Sequence, residues 1–371
     1  MFEIPQKIQF VLNRLLENGH KAYIVGGCVR DILLGLTPDD YDVTTSATPE
    51  QIIALFDKTI PTGIKHGTVT VILEKTPIEV TTFRTEKGYL DNRHPDSVEF
   101  VTNLADDLAR RDFTVNAMAY NHTDGLIDLY GGKTDLENKI LRTVGDSERR
   151  FKEDALRILR LFRFASTLNF QIEETVLNSA LELSHLLKNV SRERIFTELK
   201  KASLGNNFEV FSDLIICGGL EFLGINKLPN FEKIKKHHGN PLLCLYLVLD
   251  AKALEQLKPS NREREFFARL DKLSRLPAPK TPADIKEMLN LCEADTVKAF
   301  FELNEWDISP IDNILEKNEP FKIAHLCIDG KSLIGLGYKG EKIGEILEHL
   351  RKVVINDPQK NTYENLINEI Q

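Results

Sequence analysis

Apolar residues at Ile4, Ile8, Val11, Leu12, Leu15 and Leu16 recur at helical spacing between polar neighbours, so the chain opens on an amphipathic helix. A short apolar run over residues 22–25 follows and stops at Gly26-Gly27, which reads as a strand ending in a tight turn. Thr48-Pro49-Glu50-Gln51 carries the start signal of a helix, with a Thr cap, Pro at the first helical position and Gln at the third. Apolar runs over 68–73 and 78–83 flank the turn-like residues 74–77, which predicts a β-hairpin. From about Phe151 onward the spacing becomes helical, with few β-branched runs. Loops there are marked by Gly218-Gly219, by the prolines between 277 and 282, and by the glycines between 337 and 340. No internal repeat or low-complexity segment interrupts this order. The pattern predicts a mixed α/β unit over about residues 1–145 and a helical remainder.

Composition changes this picture little. At 371 residues the chain exceeds what one hydrophobic core usually serves, so two or more packed units are expected. Hydrophobic content of 42% and charged content of 28% are those of an ordinary globular protein. The N-terminus lacks a signal-peptide pattern, and no apolar run approaches the roughly 20 residues that span a bilayer. The five cysteines, Cys28, Cys217, Cys244, Cys292 and Cys327, are odd in number and form no CxxC or Cys/His cluster. That argues against disulfides and structural zinc and for a reducing cytoplasm. A net charge of −8 disfavours a polyanionic partner, yet residues 151–205 alone carry a positive balance, which leaves room for a local basic surface.

The candidate chemistry begins at Gly26-Gly27-Cys28-Val29-Arg30-Asp31, placed between a strand and a helix. Two glycines let backbone N–H groups approach an anion, the following helix start favours negative charge, and Arg30 adds a cation; an ordinary tight turn has the same sequence. Nine residues past Asp31 stands Asp40-Tyr41-Asp42. In an extended strand residues two apart share a face, so both carboxylates converge, and such a pair is costly unless divalent cations neutralise it. A solvated acidic turn is the alternative. A third carboxylate, Glu79, lies in the 78–83 run, where an edge-strand glutamate facing water is the plain reading. Residues 84–98, with Tyr89, Asp91, Arg93, His94 and Pro95, are polar, lack strand periodicity and read as a loop. His94, His237 and His238 have no partner at ligand spacing, and His66 reads as a loop histidine.

The segments GGCVRDILLG and DDYDVTTSATP together resemble the head signature of the nucleotidyltransferase superfamily, whose sheet is like that of DNA polymerase β. More narrowly, they resemble class II tRNA nucleotidyltransferases and bacterial poly(A) polymerases. Arg110-Arg111-Asp112-Phe113-Thr114-Val115-Asn116-Ala117 is similar to that family's RRDFTxNA motif. Asp128 to Gly132 resembles its D-x-x-G-G turn, and Glu153-Asp154-Ala155-Leu156-Arg157 its EDxxR motif. Ser191-Arg192-Glu193-Arg194 resembles a helix start in its neck, and Ile328-Asp329-Gly330-Lys331-Ser332-Leu333 a short C-terminal segment of bacterial members.

The resemblance implies an α/β nucleotidyltransferase head over residues 1–145. An all-α neck over 146–205 and a helical body and tail over 206–371 would follow. It implies addition of C, C and A to the 3′ end of tRNA from CTP and ATP, by two-metal phosphoryl transfer. Asp40 and Asp42 would hold Mg²⁺, with Glu79 as a further catalytic carboxylate. Gly26, Gly27 and Arg30 would contact the incoming nucleotide, and Arg111, Asp112 and Asn116 its ribose and triphosphate. Asp154 and Arg157 would read the base, with Arg160 and Arg163 completing the pocket. The partners implied are the tRNA acceptor end, CTP and ATP, with no membrane and no obligate protein partner. On the residues alone, Asp154, Arg157, Arg160 and Arg163 recur every three positions as a drifting helical stripe, and an i,i+3 ion pair between Asp154 and Arg157 is the simpler reading. Rival functions are A addition alone, poly(A) synthesis, and an inert RNA-binding protein on the same fold. The acidic C-terminal third disfavours poly(A) synthesis, since such enzymes carry a basic extension. The paired Asp40 and Asp42 speak against an inert protein.

Overall fold

The computed structural model describes residues 3–87, 97–237, 239–249 and 251–370. The chain divides into two compact units, Met1–Lys258 and Pro259–Gln371. The first unit opens on α1 (Gln6–Glu17), which buries Ile8, Val11, Leu12 and Leu15 as its spacing predicts. Then come β1 (Ala22–Val25), α2 (Gly27–Leu33), β2 (Asp42–Thr45), α3 (Pro49–Leu55), β3 (Thr59–Gly63), β4 (Thr68–Leu73), β5 (Thr76–Thr82), β6 (Arg84–Lys87) and β7 (Ser97–Phe100). They are followed by α4 (Leu104–Ala109), β8 (Met118–Asn121), β9 (Gly125–Asp128) and α5 (Gly132–Asn138). The helical stretch holds α6 (Ser147–Glu153), α7 (Leu156–Leu168), α8 (Glu174–Glu182) and α9 (Arg192–Ala202). Among the described residues no helix is long and apolar enough to cross a membrane.

Seven strands form one mixed sheet in the order β3-β4-β5-β2-β1-β8-β9, in which only β2 and β5 run parallel. Thr48 and Gln51 close a capping box on α3, as the sequence signal requires. The β4–β5 hairpin turns on two residues rather than four. Glu74 and Lys75 both take positive φ, and Pro77 is already in the strand opposite Ile72. Pro is tolerated there because β2 pairs with β5 only from Val80 onward, so no ladder bond is lost on that side.

The stretch 84–98 departs from the expected loop. Its ends are strands, with Arg84 opposite Phe100 and Lys87 opposite Ser97. None of the described side chains of this ribbon is fully buried, so nothing imposed the alternation that signals a strand. Tyr89, Asp91, Arg93, His94 and Pro95 lie outside the described residues, as does His238. The helical region also contains a small parallel pair, Ile140–Leu141 against Gln171–Ile172, too short to show in a periodicity.

Helix α7 is buried on almost every side, through Leu156, Ile158, Leu159, Leu161, Phe162 and Phe164. The second unit is helical. Its core gathers Ile328, Leu333, Leu347, Leu350, Val354 and Leu366, and Asp329 caps the helix Gly330–Gly335 through the Ser332 N–H.

Candidate active site

Pairing of Val43 with Val80 in the parallel β2–β5 ladder sets Asp42 and Glu79, each one residue earlier, on a common face with Thr44 and Thr81. These four line a cleft of about 230 Å³ together with Val25, Thr68, Arg84, Arg110 and Arg111. Glu79 is thus on an interior strand rather than the edge strand of the plainer reading, and its side chain is exposed. Asp40 is in the loop ahead of β2, because strand pairing begins only where Asp42 meets Val25. The two aspartates still feel each other. Crowding by the cleft walls pushes the Asp42 carboxyl above the usual carboxylate range, and Asp40 adds to this. Arg111 opposes the shift, and Glu79 adds to it again. Asp42 remains open to solvent at the cleft mouth. Among the described residues no three His, Cys, Asp or Glu side chains meet as a ready-made metal cage. The donor set instead fits a hard, water-rich cation that takes one or two carboxylates and completes its shell with substrate oxygens.

Opposite the carboxylates, Asp107 on α4 was not anticipated. It is completely buried and accepts from Arg110 Nε and Nη2 at 3.0 and 2.7 Å, from Arg111 Nη2 at 3.2 Å, and from the Arg84 backbone N–H at 3.4 Å. Burial alone would raise its carboxyl, but the two guanidinium groups outweigh that and hold it low. The signal was present as an Asp three and four residues ahead of two arginines, the spacing of helical ion pairs, here reaching just past the end of α4. Arg111 is pressed against the Gly26 turn. Gly26 has φ +81°, and a Cβ there would stand 3.0 Å from Arg111 Nη1. Gly26→Ala is therefore expected to cost about 1–3 kcal/mol through backbone strain alone. A denaturation midpoint equal to that of the parent would refute this. The D-x-x-G-G turn is held similarly, since Asp128 accepts from the Gly132 and Lys133 N–H groups and a Cβ on Gly132 would lie 2.3 Å from the Thr114 carbonyl oxygen.

A second, basic cluster forms around Phe164. The guanidinium carbons of Arg163, Arg30 and Arg160 lie 3.7, 5.2 and 5.4 Å from its ring centroid. Arg30 donates to Asn116 Oδ1 at 2.7 Å, and Asn116 reaches Asp112 Oδ1 at 3.4 Å. Arg160 Nε donates to Asp112 Oδ2 at 2.7 Å. Burial would raise the Asp112 carboxyl, but Arg160 brings it down to about 2. Burial lowers Arg163; Glu198 at 2.6 Å opposes this, while Arg160 and Arg30 add to it as like charges. Arg30, Asp112, Asn116, Arg160 and Arg163 thus come together, joined by the buried Glu198, which the sequence reading missed.

Asp154 and Arg157 are not paired with each other. Asp154 sits between α6 and α7 with φ −140° and ψ 104°, so the helical i,i+3 geometry is broken there. The arginine stripe on α7 therefore begins at Arg157. Asp154 accepts from Arg194 Nη1 and Nη2 at 3.3 and 2.8 Å, and its Oδ1 also takes the Leu156 N–H. Arg157 donates to Glu153 Oε2 at 2.8 Å and to the Arg110 carbonyl at 3.0 Å. Ser191 stands at the N-terminus of α9, as expected, but makes no side-chain cap bond.

Residues 22–142 match the Poly A polymerase head domain, and residues 169–223 match a family described as a probable RNA and SrmB-binding site of polymerase A. The CCA-adding enzyme of Lactobacillus helveticus is 38% identical over 95% of this chain and 93% of its own length. That of Staphylococcus epidermidis is 34% identical over 98% and 97%. The chain belongs to the CCA-adding enzyme family of nucleotidyltransferases. The crystal structure of the Bacillus stearothermophilus CCA-adding enzyme in complex with CTP superposes with a TM-score of 0.81 at 30% identity, over the whole of this chain and 98% of that one. Nucleotidyltransferases of this kind generally use divalent metal ions.

Proposed function

We propose that this protein adds C, C and A in turn to the 3′ end of tRNA, using CTP and ATP and releasing pyrophosphate. The observation that carries this reading is a pair of opposed charge crowds on linked elements. Burial, then Asp40 and, more weakly, Glu79 raise the Asp42 carboxyl, and three guanidinium groups, Arg30, Arg160 and Arg163, share one phenyl ring. Asp31, Asp112 and Glu198 pair with the arginines and Arg111 faces Asp42, so the site holds cations and carboxylates side by side. A metal-bound nucleoside triphosphate presents a cation to the carboxylates and anionic oxygens to the guanidinium groups. Family membership supports the same assignment.

In this reading Asp40 and Asp42 hold Mg²⁺, with Glu79 supporting them. When bound, the ion lowers the cost of charge on the attacking 3′ oxygen and on the departing pyrophosphate. Gly26, Gly27, Arg30 and Arg111 receive the triphosphate, Asn116 orients Arg30, and Asp112 acts through Arg160. Asp154 accepts from the exocyclic amine of the base and Arg157 donates to its ring nitrogen or carbonyl. Cytosine and adenine both offer an amine beside an acceptor, whereas uracil and guanine reverse that order, so one residue pair serves CTP and ATP and rejects the others. Residues 1–145 form the catalytic head, 146–205 the base-reading neck, and 206–371 the parts that hold tRNA, mainly by backbone shape. A reducing cytoplasm suits the five free cysteines.

The test supplies CTP and ATP, separately and together, to tRNA ending at the discriminator base, in C, and in CC, and sequences the 3′ ends. The expected product is CCA and no more. AMP incorporation only onto the CC end would reduce the activity to A addition, and long A tails would make the protein a poly(A) polymerase.

A further inference from the structure

Arg194 takes no part in the roles assigned above, yet it makes the strongest contact to the carboxylate proposed to read the base. It occupies the first turn of α9, where the positive end of the helix dipole disfavours a cation, and Asp154 offsets that cost. The guanidinium grips Asp154 with two nitrogens, in the fork geometry that fixes direction as well as charge. The side chains of Arg194 and Asp154 retain 28% and 18% exposure, so the pair borders solvent and a ligand can reach it.

We propose that Arg194 is a specificity-determining positioning residue that presets Asp154 as a fixed acceptor for an amine-bearing base. This rests on the base-reading role given to Asp154. A carboxylate has about four acceptor directions. Asp154 Oδ1 spends its two on the Leu156 N–H and Arg194 Nη1, whereas Oδ2 receives Arg194 Nη2 and keeps one direction open. Arg194 thereby selects which oxygen meets the base and holds it as an acceptor. A keto oxygen at the same place finds no donor and faces a carboxylate. Arg157 is preset in the same way by Glu153 and the Arg110 carbonyl, so the two readers are aligned independently by neighbours rather than by each other. With Arg194 gone, Asp154 is free to rotate about its side-chain torsions, and the loss falls on discrimination more than on turnover.

The test compares Arg194→Met, Arg194→Lys and Asp154→Ala with the parent, after melting curves establish that each is folded. It measures kcat/KM for CTP against UTP on tRNA lacking CCA, and for ATP against GTP on tRNA ending in CC. In Arg194→Met both ratios are expected to fall by roughly tenfold or more, the scale on which one bidentate contact discriminates bases. The kcat with CTP should fall by less. Arg194→Lys should recover part of the ratio, because it restores the charge without the fork. If Asp154→Ala loses discrimination while Arg194→Met merely slows all four nucleotides equally, Arg194 is a structural ion-pair partner and the proposal is overturned. If Asp154→Ala itself keeps the parental ratios, the base-reading role fails and the proposal with it. Should Arg194→Met not fold, Arg194→Lys with unaltered ratios overturns the proposal.

Discussion

Asp42→Ala is expected to abolish CMP and AMP incorporation together, by roughly three orders of magnitude or more, since a metal site supplies several kcal/mol of transition-state stabilisation. One carboxylate face serves all three additions, so no separation of C from A addition should appear. The fold should not suffer. Asp42 has its carboxyl pushed up in the folded protein by the cleft walls, by Asp40 and by Glu79, with Arg111 opposing. A raised carboxyl means that its ionised form is disfavoured by folding at neutral pH, so removing it leaves stability equal or slightly higher. Primer-extension assays beside a melting curve check both halves. Substantial CMP incorporation by the variant in Mg²⁺ would sink the metal assignment, and a collapsed melting temperature would sink the claim that this crowding opposes folding.

The opposite behaviour is expected of Asp112→Ala. Here the carboxylate is nearly buried and holds Arg160 at 2.7 Å, so its removal leaves that guanidinium only the longer contact to Glu198 at 3.8 Å. Breaking such a pair costs about 3–5 kcal/mol, which for a unit of this size lowers the melting temperature by on the order of 10 °C. Asp112→Asn, which keeps an acceptor for the Phe113 N–H, should lose less. The same group makes stability pH-dependent. Its carboxyl falls from an ordinary 3.8 to about 2 on folding. The resulting contribution, roughly 2 kcal/mol, is complete above about pH 5 and is lost as pH falls through 4 towards 2. Urea titrations of parent and Asp112→Asn between pH 2 and 6 should converge at the acid end. Curves that stay parallel throughout would show that Asp112 is not the titrating group.

What the sequence made legible follows physical rules that act locally. The capping box at Thr48 and the amphipathic α1 depend on residues close together in the chain. Strand period suggested a shared face for Asp40 and Asp42, but β2 begins at Asp42, and the carboxylate that shares its face is Glu79, brought there by the distant β2–β5 pairing. The partners of charged side chains were harder. Asp154 and Arg157 suggested one pair by spacing, but the backbone break at Asp154 divides them, and each turns to a neighbour that helical periodicity does not indicate. Asp107 and Glu198 stayed hidden because an acidic residue destined for full burial looks, in a sequence, like any surface helix position. The ribbon of β6 and β7 was missed because no buried face forced its residues to alternate.

The order of elements along the chain bears on synthesis. Every residue assigned to the cleft and its bordering clusters, from Gly26 to Glu198, lies inside the first compact unit, Met1–Lys258. Domains emerge and fold from the N-terminus at about 5–20 residues per second, so the catalytic half has on the order of ten seconds on the ribosome before the last residues leave it. The sheet, with its distant pairings such as Val43 with Val80, is the slow part to assemble, and it is made first. A nascent chain arrested shortly after the first unit clears the exit tunnel should already resist protease over the head.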